Sequence, residues 1–227
     1  MSDVKRVLIT GAAGIVGTLL RPLLRERFES IVLTDVQPID DPASSETYVQ
    51  GDIADTSFVE QVARGVDGVI HLAACVGPDY SFDEVLTANI VGTHNVFAAC
   101  RQHGVARVVY ASSHHAVGFY RRDDLIDESV LPRPDSQYGL SKAFGESAAA
   151  YYSDKFSMDV LVIRIGFSDK AVIDERRLHT WISPRDLMQL IDIGLTTANL
   201  GFEIVYGVSD NPEPFFDNAN AHRLGYR

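Results

Sequence analysis

Cysteine is scarce in this 227-residue chain: Cys75 and Cys100 occur alone, outside any CxxC or CxxH pair. Two isolated thiols in apolar surroundings form neither a disulfide framework nor a zinc site, so both read as reduced core residues in a reducing compartment, and no metal is expected. Long apolar runs are also missing. No stretch approaches the roughly 18 apolar residues that a membrane span needs, and the N-terminus enters the strand VKRVLIT with no basic stretch and apolar leader before it. The expectation is a cytoplasmic protein with no membrane partner. Basic residues are the third shortage, with 20 Lys and Arg against 31 Asp and Glu, a formal charge of −11. Nucleic-acid affinity comes mainly from neutralised phosphates, so this balance argues against such a partner. An anionic small molecule would need a dedicated local cation. Internal repeats, low-complexity tracts and linkers are absent as well.

What remains is one domain's worth of ordinary globular sequence. Hydrophobic residues make up 46% and charged residues 22%, enough to bury a core without staples. Short apolar runs alternate with helical stretches. Val7-Leu8-Ile9, Ile31-Val32-Leu33, Tyr48-Val49, Gly68 to Leu72, Arg107 to Ala111 and Val160 to Ile165 read as strands. Ile15 to Phe28, Thr56 to Arg64, Glu84 to His103 and Tyr138 to Phe156 read as helices, the first with Pro22 inside it. The pattern predicts an α/β fold, a Rossmann-type doubly wound parallel sheet with helices on both faces. Beyond Ile165 the periodicity weakens. Ser183-Pro184 opens a helix to about Leu195, and Glu203 to Tyr206 is one more strand. A single domain over 1–227 is expected, with residues 166–227 supplying a small substrate-binding part.

Gly11, Gly14 and Gly17 form GxxGxxG between the first strand and the first helix. The first glycine permits the tight turn, the second lets backbone approach a pyrophosphate, and the third lets helix pack on strand. Three glycines alone would also suit a plain strand–turn–helix. Asp35 strengthens the reading: it closes the second strand, 18 positions beyond Gly17, where a carboxylate bonds ribose hydroxyls. That carboxylate repels a 2′-phosphate, and Val36-Gln37-Pro38 offers no arginine to receive one. NAD is therefore favoured over NADP.

Tyr138-Gly139-Leu140-Ser141-Lys142 is YxxxK, which places phenol and ammonium on one helix face. A neighbouring ammonium, together with a positive nicotinamide, favours the phenolate, and such a tyrosine can accept a proton from an alcohol. The fifth strand ends in Tyr110-Ala111-Ser112-Ser113-His114-His115, at the sheet edge where ligands bind. One of the two serines can donate to a developing alkoxide; the histidines read equally as a mutually satisfied loop pair.

Together these segments resemble the extended short-chain dehydrogenase/reductase family, the NAD-dependent epimerases and dehydratases. TGAAGIVG, Asp35, Gly51-Asp52-Ile53, HLAA (His71 to Ala74), Asn89, YASS and YGLSK carry the resemblance, which spans residues 4 to about 166. It implies Ser113, Tyr138 and Lys142 as catalytic residues. It implies a cofactor site of Gly11, Gly14, Ile15, Gly17, Asp35, Asp52, Ile53, Leu72, Ala73, Ala74, Asn89, Tyr138, Lys142 and Ile165. Within the family, YASSHHAVGFY, LPRPDSQYGLSKAFGE, VIRIG, RRLHTWISPRDL and EIVYGVSDN are most similar to the uronate dehydrogenases and their relatives acting on glucose 6-phosphate. That similarity implies a substrate side of Val76, Ser113, His114, Phe167 and Arg176, with Arg176 gripping the sugar carboxylate and Arg177 its close competitor. Two positions depart from the pattern: those relatives carry Asn at 114 and Ser at 167. The chain also stops at Arg227, where relatives continue.

The resulting expectation is NAD-dependent oxidation of an aldose, a hexuronate first, at its anomeric carbon. The alternatives are an epimerase or dehydratase retaining its NAD, a dehydrogenase of another aldose or sugar phosphate, and a non-catalytic NAD sensor. A homo-oligomer is expected through the helices Glu84 to His103 and Tyr138 to Phe156.

Overall fold

Strand β1 (Arg6–Thr10) buries four residues in a row, Val7 to Thr10, which requires cover on both faces. The computed structural model supplies that cover. It describes residues 4–77, 79–171 and 174–227, apart from the side chains of Glu175 and Arg176. After β1 the chain runs α1 (Ile15–Arg27), β2 (Ser30–Asp35), β3 (Glu46–Gln50), α2 (Thr56–Ala63) and β4 (Gly68–His71). Next come α3 (Phe82–Val85), α4 (Gly92–His103), β5 (Arg107–Ser113), α5 (Gln137–Phe156) and β6 (Asp159–Ile165). Short β7 (Phe167–Ser168), α6 (Glu175–Leu178) and β8 (Trp181–Ile182) precede α7 (Pro184–Thr196), β9 (Phe202–Gly207) and α8 (Ala219–Arg223).

Seven strands pair in parallel in the order β3-β2-β1-β4-β5-β6-β9. Side-chain alternation divides the core. Val7 and Ile9 join Leu20, Leu24, Leu187 and Leu190 under α1 and α7; Leu8 joins Val59, Phe97, Ala149 and Tyr152 under α2, α4 and α5. The strand order reverses between β2 and β4, on either side of β1, and this opens a crevice at the strands' carboxyl ends. A small third cluster of Val117, Ile126, Tyr206, Val208 and Phe216 stands beside it.

Two features differ from the sequence reading. The helix expected from Glu84 to His103 is interrupted by a π-helical segment, Leu86–Val91; a widened turn carries Asn89 to the buried side. The pair β7–β8 and the single turn α6 were not foreseen, because elements of two to four residues show no periodicity. In residues 166–227 the helix expected from Ser183-Pro184 is α7, which packs in the main core, and the strand expected at Glu203 to Tyr206 is β9, the seventh of the sheet. Among the described residues no helix is long and apolar enough to cross a membrane.

Candidate active site

One cleft of about 1160 Å³ runs along the carboxyl ends of the strands. Its floor begins at the glycine turn. Gly11 has φ +74°, and a Cβ there would lie 2.6 Å from the Ala73 nitrogen; one on Gly17 would lie 2.5 Å from the Gly11 carbonyl oxygen. Only glycine permits this turn and this approach of helix to strand. Gly14 caps α1, no side-chain cap bond covers the helix start, and its first turn holds no acid. The exposed N–H groups and the positive end of the helix dipole suit an anion.

Asp35 reaches the same turn. Its Oδ2 accepts from the Ala13 N–H at 2.9 Å and its Oδ1 from the Gln37 N–H at 2.9 Å. The carboxylate is thereby aimed with lone pairs to spare for ribose hydroxyls. Val36 and Gln37 line the cleft beside it and bring no cation, so the lining fits NAD better than a 2′-phosphorylated form. Asp52, Ile53, Leu72, Ala73 and Ala74 line the next stretch. Behind them His71 Nδ1 lies 2.7 Å from Thr10 Oγ1 and Nε2 lies 3.0 Å from Thr93 Oγ1. Burial, and then the charge of Lys142, hold His71 down at about 3, so it stays neutral.

Asn89 is placed differently from the expectation. It does not line the cleft. Its Oδ1 accepts from the Cys75 N–H at 2.7 Å, and Nδ2 donates to the Cys75 carbonyl at 3.1 Å and to Ser141 Oγ at 2.8 Å. It therefore ties the cofactor wall to α5 from behind instead of contacting a ligand.

At the chemical end, β5 delivers Ser113 and α5 delivers Tyr138 and Lys142, one turn apart. Ser136 caps α5 by accepting from the Gly139 N–H at 3.0 Å, which fixes where the helix starts. Ser113 Oγ accepts from the His115 N–H at 3.2 Å, and Ser113 and Tyr138 line the cleft together. Lys142 Nζ donates to the Ala111 carbonyl at 2.7 Å and lies 5.6 Å from the Tyr138 ring centroid. Burial lowers Lys142 to about 7 and raises Tyr138 to about 12, the bond from Ser113 pulling the phenol the other way. In the protein alone, desolvation and not the expected ammonium sets the direction of the phenol's shift.

The two histidines separate by environment. His114 Nδ1 faces the Ile165 carbonyl at 3.2 Å; burial, then His115, push it down to about 4. It remains neutral at working pH. His115 Nδ1 pairs with Asp135 Oδ2 at 2.8 Å. Val76, Ser113, His114, Ile165 and Phe167 all line the cleft. The side chain of Arg176 lies outside the described residues, whereas Arg177 lines the cleft.

Sequence reasoning missed Arg121, Arg122, Asp174, Phe215 and Phe216, which also line the cleft. It also missed the buried pair beneath the site, where Glu146 accepts from Ser112 Oγ at 2.6 Å and from Arg164 Nε and Nη2 at 3.0 and 2.9 Å. The signal for that pair was present: Arg164 is a lone charge inside the apolar strand VLVIRI, and Glu146 lies one turn beyond Lys142.

A sequence model of the NAD dependent epimerase/dehydratase family matches residues 7–166. The uronate dehydrogenase of Pseudomonas putida is 44% identical over 222 residues, 97% of this chain and 82% of the relative. An NAD-dependent glucose-6-phosphate dehydrogenase of Haloferax volcanii is 36% identical over 97% of this chain and 91% of its own. The crystal structure of a uronate dehydrogenase variant from Agrobacterium tumefaciens complexed with NAD superposes with TM-score 0.94 at 37% identity, covering 98% of this chain and 84% of that one.

Proposed function

The chain belongs to the NAD-dependent epimerase/dehydratase family, and from that premise we propose that it is an NAD-dependent oxidoreductase converting a hexuronate to its aldonolactone. The observation that carries this reading is the single cleft that joins the Gly11–Gly17 turn and Asp35 to Ser113, Tyr138 and Lys142. When bound, NAD supplies the acceptor for the hydride leaving the anomeric carbon. The protein's own residues handle the proton. Tyr138 takes it from the anomeric hydroxyl. Ser113, whose Oγ already accepts from the His115 N–H, turns its own hydrogen to the sugar oxygen. Loss of hydride and proton from a ring hemiacetal leaves a C=O beside the ring oxygen, which is a lactone. Lys142, anchored on the Ala111 carbonyl, holds positive charge below the phenol and so lowers the cost of phenolate.

The enzyme works in the cytoplasm as a homo-oligomer; the free thiols of Cys75 and Cys100 support the compartment, and exposed Leu86, Val91, Leu140, Phe144 and Tyr151 support the assembly. A second reading, oxidation of a phosphorylated aldose, is favoured by three arginines lining the cleft, Arg121, Arg122 and Arg177.

The test is NADH appearance at 340 nm with glucuronate, galacturonate, glucose, galactose and glucose 6-phosphate. We expect turnover of the uronates and a loss of 100-fold or more in kcat for Tyr138→Phe, since a positioned acid–base group contributes roughly 10²–10⁴. Turnover of the sugar phosphate alone would replace the first reading by the second. Tightly held NAD with no net NADH from any sugar would point to an epimerase.

A further inference from the structure

Edge strand β3 carries Glu46, Tyr48 and Gln50 on one face, because side chains two apart point the same way. None of the three lines the cleft, yet each is hydrogen-bonded toward its Asp35 end. Glu46 accepts from Arg21 Nη2 at 2.7 Å, which ties β3 to α1, the helix that starts at the glycine turn. Tyr48 Oη donates to the Gln37 carbonyl at 2.6 Å, and Gln50 Nε2 donates to the Val36 carbonyl at 2.8 Å. The Gly51 N–H donates to the remaining carbonyl of the turn, that of Asp35, at 3.1 Å. Every carbonyl from Asp35 to Gln37 is therefore held by β3 or the residue that follows it.

We propose that Tyr48 and Gln50 are positioning residues for coenzyme choice. They lock the Asp35–Gln37 turn in a conformation that reads a ribose diol, and so exclude a 2′-phosphate by rigidity as well as by charge. The charge belongs to Asp35; the rigidity follows from the bonds around it. Asp35 takes the Ala13 and Gln37 N–H groups, one on each oxygen. Removing the acid frees those two donors, but a phosphate presents three oxygens where a carboxylate presents two, and it needs more room. That room opens only if the backbone around Gln37 backs away. Gln50 and Tyr48 hold the peptides on either side of Gln37 by their carbonyls. Because neither side chain lines the cleft, both act through the turn and not by touching the coenzyme. A turn ordered in the free protein also lowers the cost of ordering it when the coenzyme binds. The assignment rests on NAD as coenzyme and is independent of which sugar is oxidised.

Fluorescence titrations with NADH and NADPH in the absence of sugar test the assignment, because they read the coenzyme site alone. Tyr48→Phe combined with Gln50→Ala is expected to raise the Kd for NADH roughly three- to tenfold, the range of one net hydrogen bond. Tyr48→Phe alone moves it the same way by less, and it keeps the ring that packs against the core, so the fold is preserved. The deciding comparison starts from Asp35→Ser with Val36→Arg, which removes the repelling acid and supplies a cation. With β3 intact, this swap is expected to bind NADPH more weakly than wild type binds NADH. Adding Tyr48→Phe and Gln50→Ala to the swap then lowers the Kd for NADPH by roughly fivefold, while that for NADH stays level or rises. A merely structural role would weaken both coenzymes alike and leave their ratio constant. A constant NADPH-to-NADH ratio, or an unchanged Kd for NADH in the two β3 substitutions alone, overturns the assignment while NAD remains the coenzyme. A wild-type protein that binds neither coenzyme overturns both.

Discussion

Lys142 is only 3% exposed, and its ammonium has one carbonyl, that of Ala111, to replace the water it lost. Burial lowers its pKa from 10.5 to about 7, which corresponds to about 5 kcal/mol against the charged form. Removing the amine orphans the Ala111 carbonyl at a cost of ~1–3 kcal/mol, so the first effect dominates. Lys142→Met is therefore expected to be more stable than wild type at pH 6, by about 5–10 °C in melting temperature for a domain of this size, and nearly inactive. The sign fixes the pH window. A cation whose folded pKa lies below its unfolded one binds fewer protons folded, so wild-type stability climbs between pH 7 and 10.5. The advantage of the Met variant is full below pH 7 and shrinks as pH rises through that range; melting curves at pH 6 and 9.5 check both ends. A Met variant that melts lower at pH 6 would show that the ammonium is held at no net cost. At this scale the site was legible where spacing decides it: Tyr138 and Lys142 share a face because they are four apart, and Ser113 ends a strand. Arg177 was visible only as a competitor, and Phe167, whose ring lies under its guanidinium, only as a departure. Their contact depends on the path of a loop that has no periodicity.

Elements β5, α5, β6 and β9 meet at one buried charge pair. Glu146 on α5 and Arg164 on β6 have side chains 5% and 1% exposed; Arg164 Nη1 also donates to Tyr206 Oη on β9 at 3.2 Å, and Ser112 on β5 donates to Glu146. Such a pair adds little over apolar packing, but breaking it leaves an uncompensated buried charge, a cost of ~3–5 kcal/mol. Glu146→Ala is expected to lower the melting temperature by about 10 °C or more, while Glu146→Leu combined with Arg164→Met recovers most of the loss. A single variant within 2–3 °C of wild type would mean that water reaches Arg164 and the pair is not buried in solution. The strands and long helices surrounding this pair were readable because each apolar run is bounded by a turn residue and a change of period. What the pattern did not show was the π-helical segment at Leu86–Val91. It rotates Asn89 off the face that a 3.6-residue period assigns it, and so turns an expected cofactor contact into a brace for Cys75.

For the whole molecule, charge is distributed in a way that composition does not reveal. The chain carries 31 acids and a net charge of −11, yet no Asp or Glu occurs from Val85 to His103. Leu86 and Val91 are exposed there, and Leu140, Phe144 and Tyr151 are exposed on the neighbouring α5. Positions 140, 144 and 151 fall within a narrow stripe at 3.6 residues per turn. The 20 residues of α5 make it ~30 Å long, and two helices side by side are ~20 Å wide, a plan area of roughly 600 Å². That approaches the ~800 Å² that each partner buries in a standard interface. An apolar stripe beside a helical segment that carries no acid suits a copy of the same surface, and two-fold pairing is the commonest way to close it. We therefore expect a dimer, twice the 25.0 kDa chain mass, in light scattering at micromolar concentration. Leu140→Glu combined with Phe144→Glu should give a monomer. Because each copy carries −11, the wild-type dimer should tighten as salt screens the repulsion between the two bodies, the opposite of an interface held by ion pairs. A wild-type monomer at all salt concentrations would leave these helices as an ordinary solvated face, and association that weakens with salt would place the contact elsewhere.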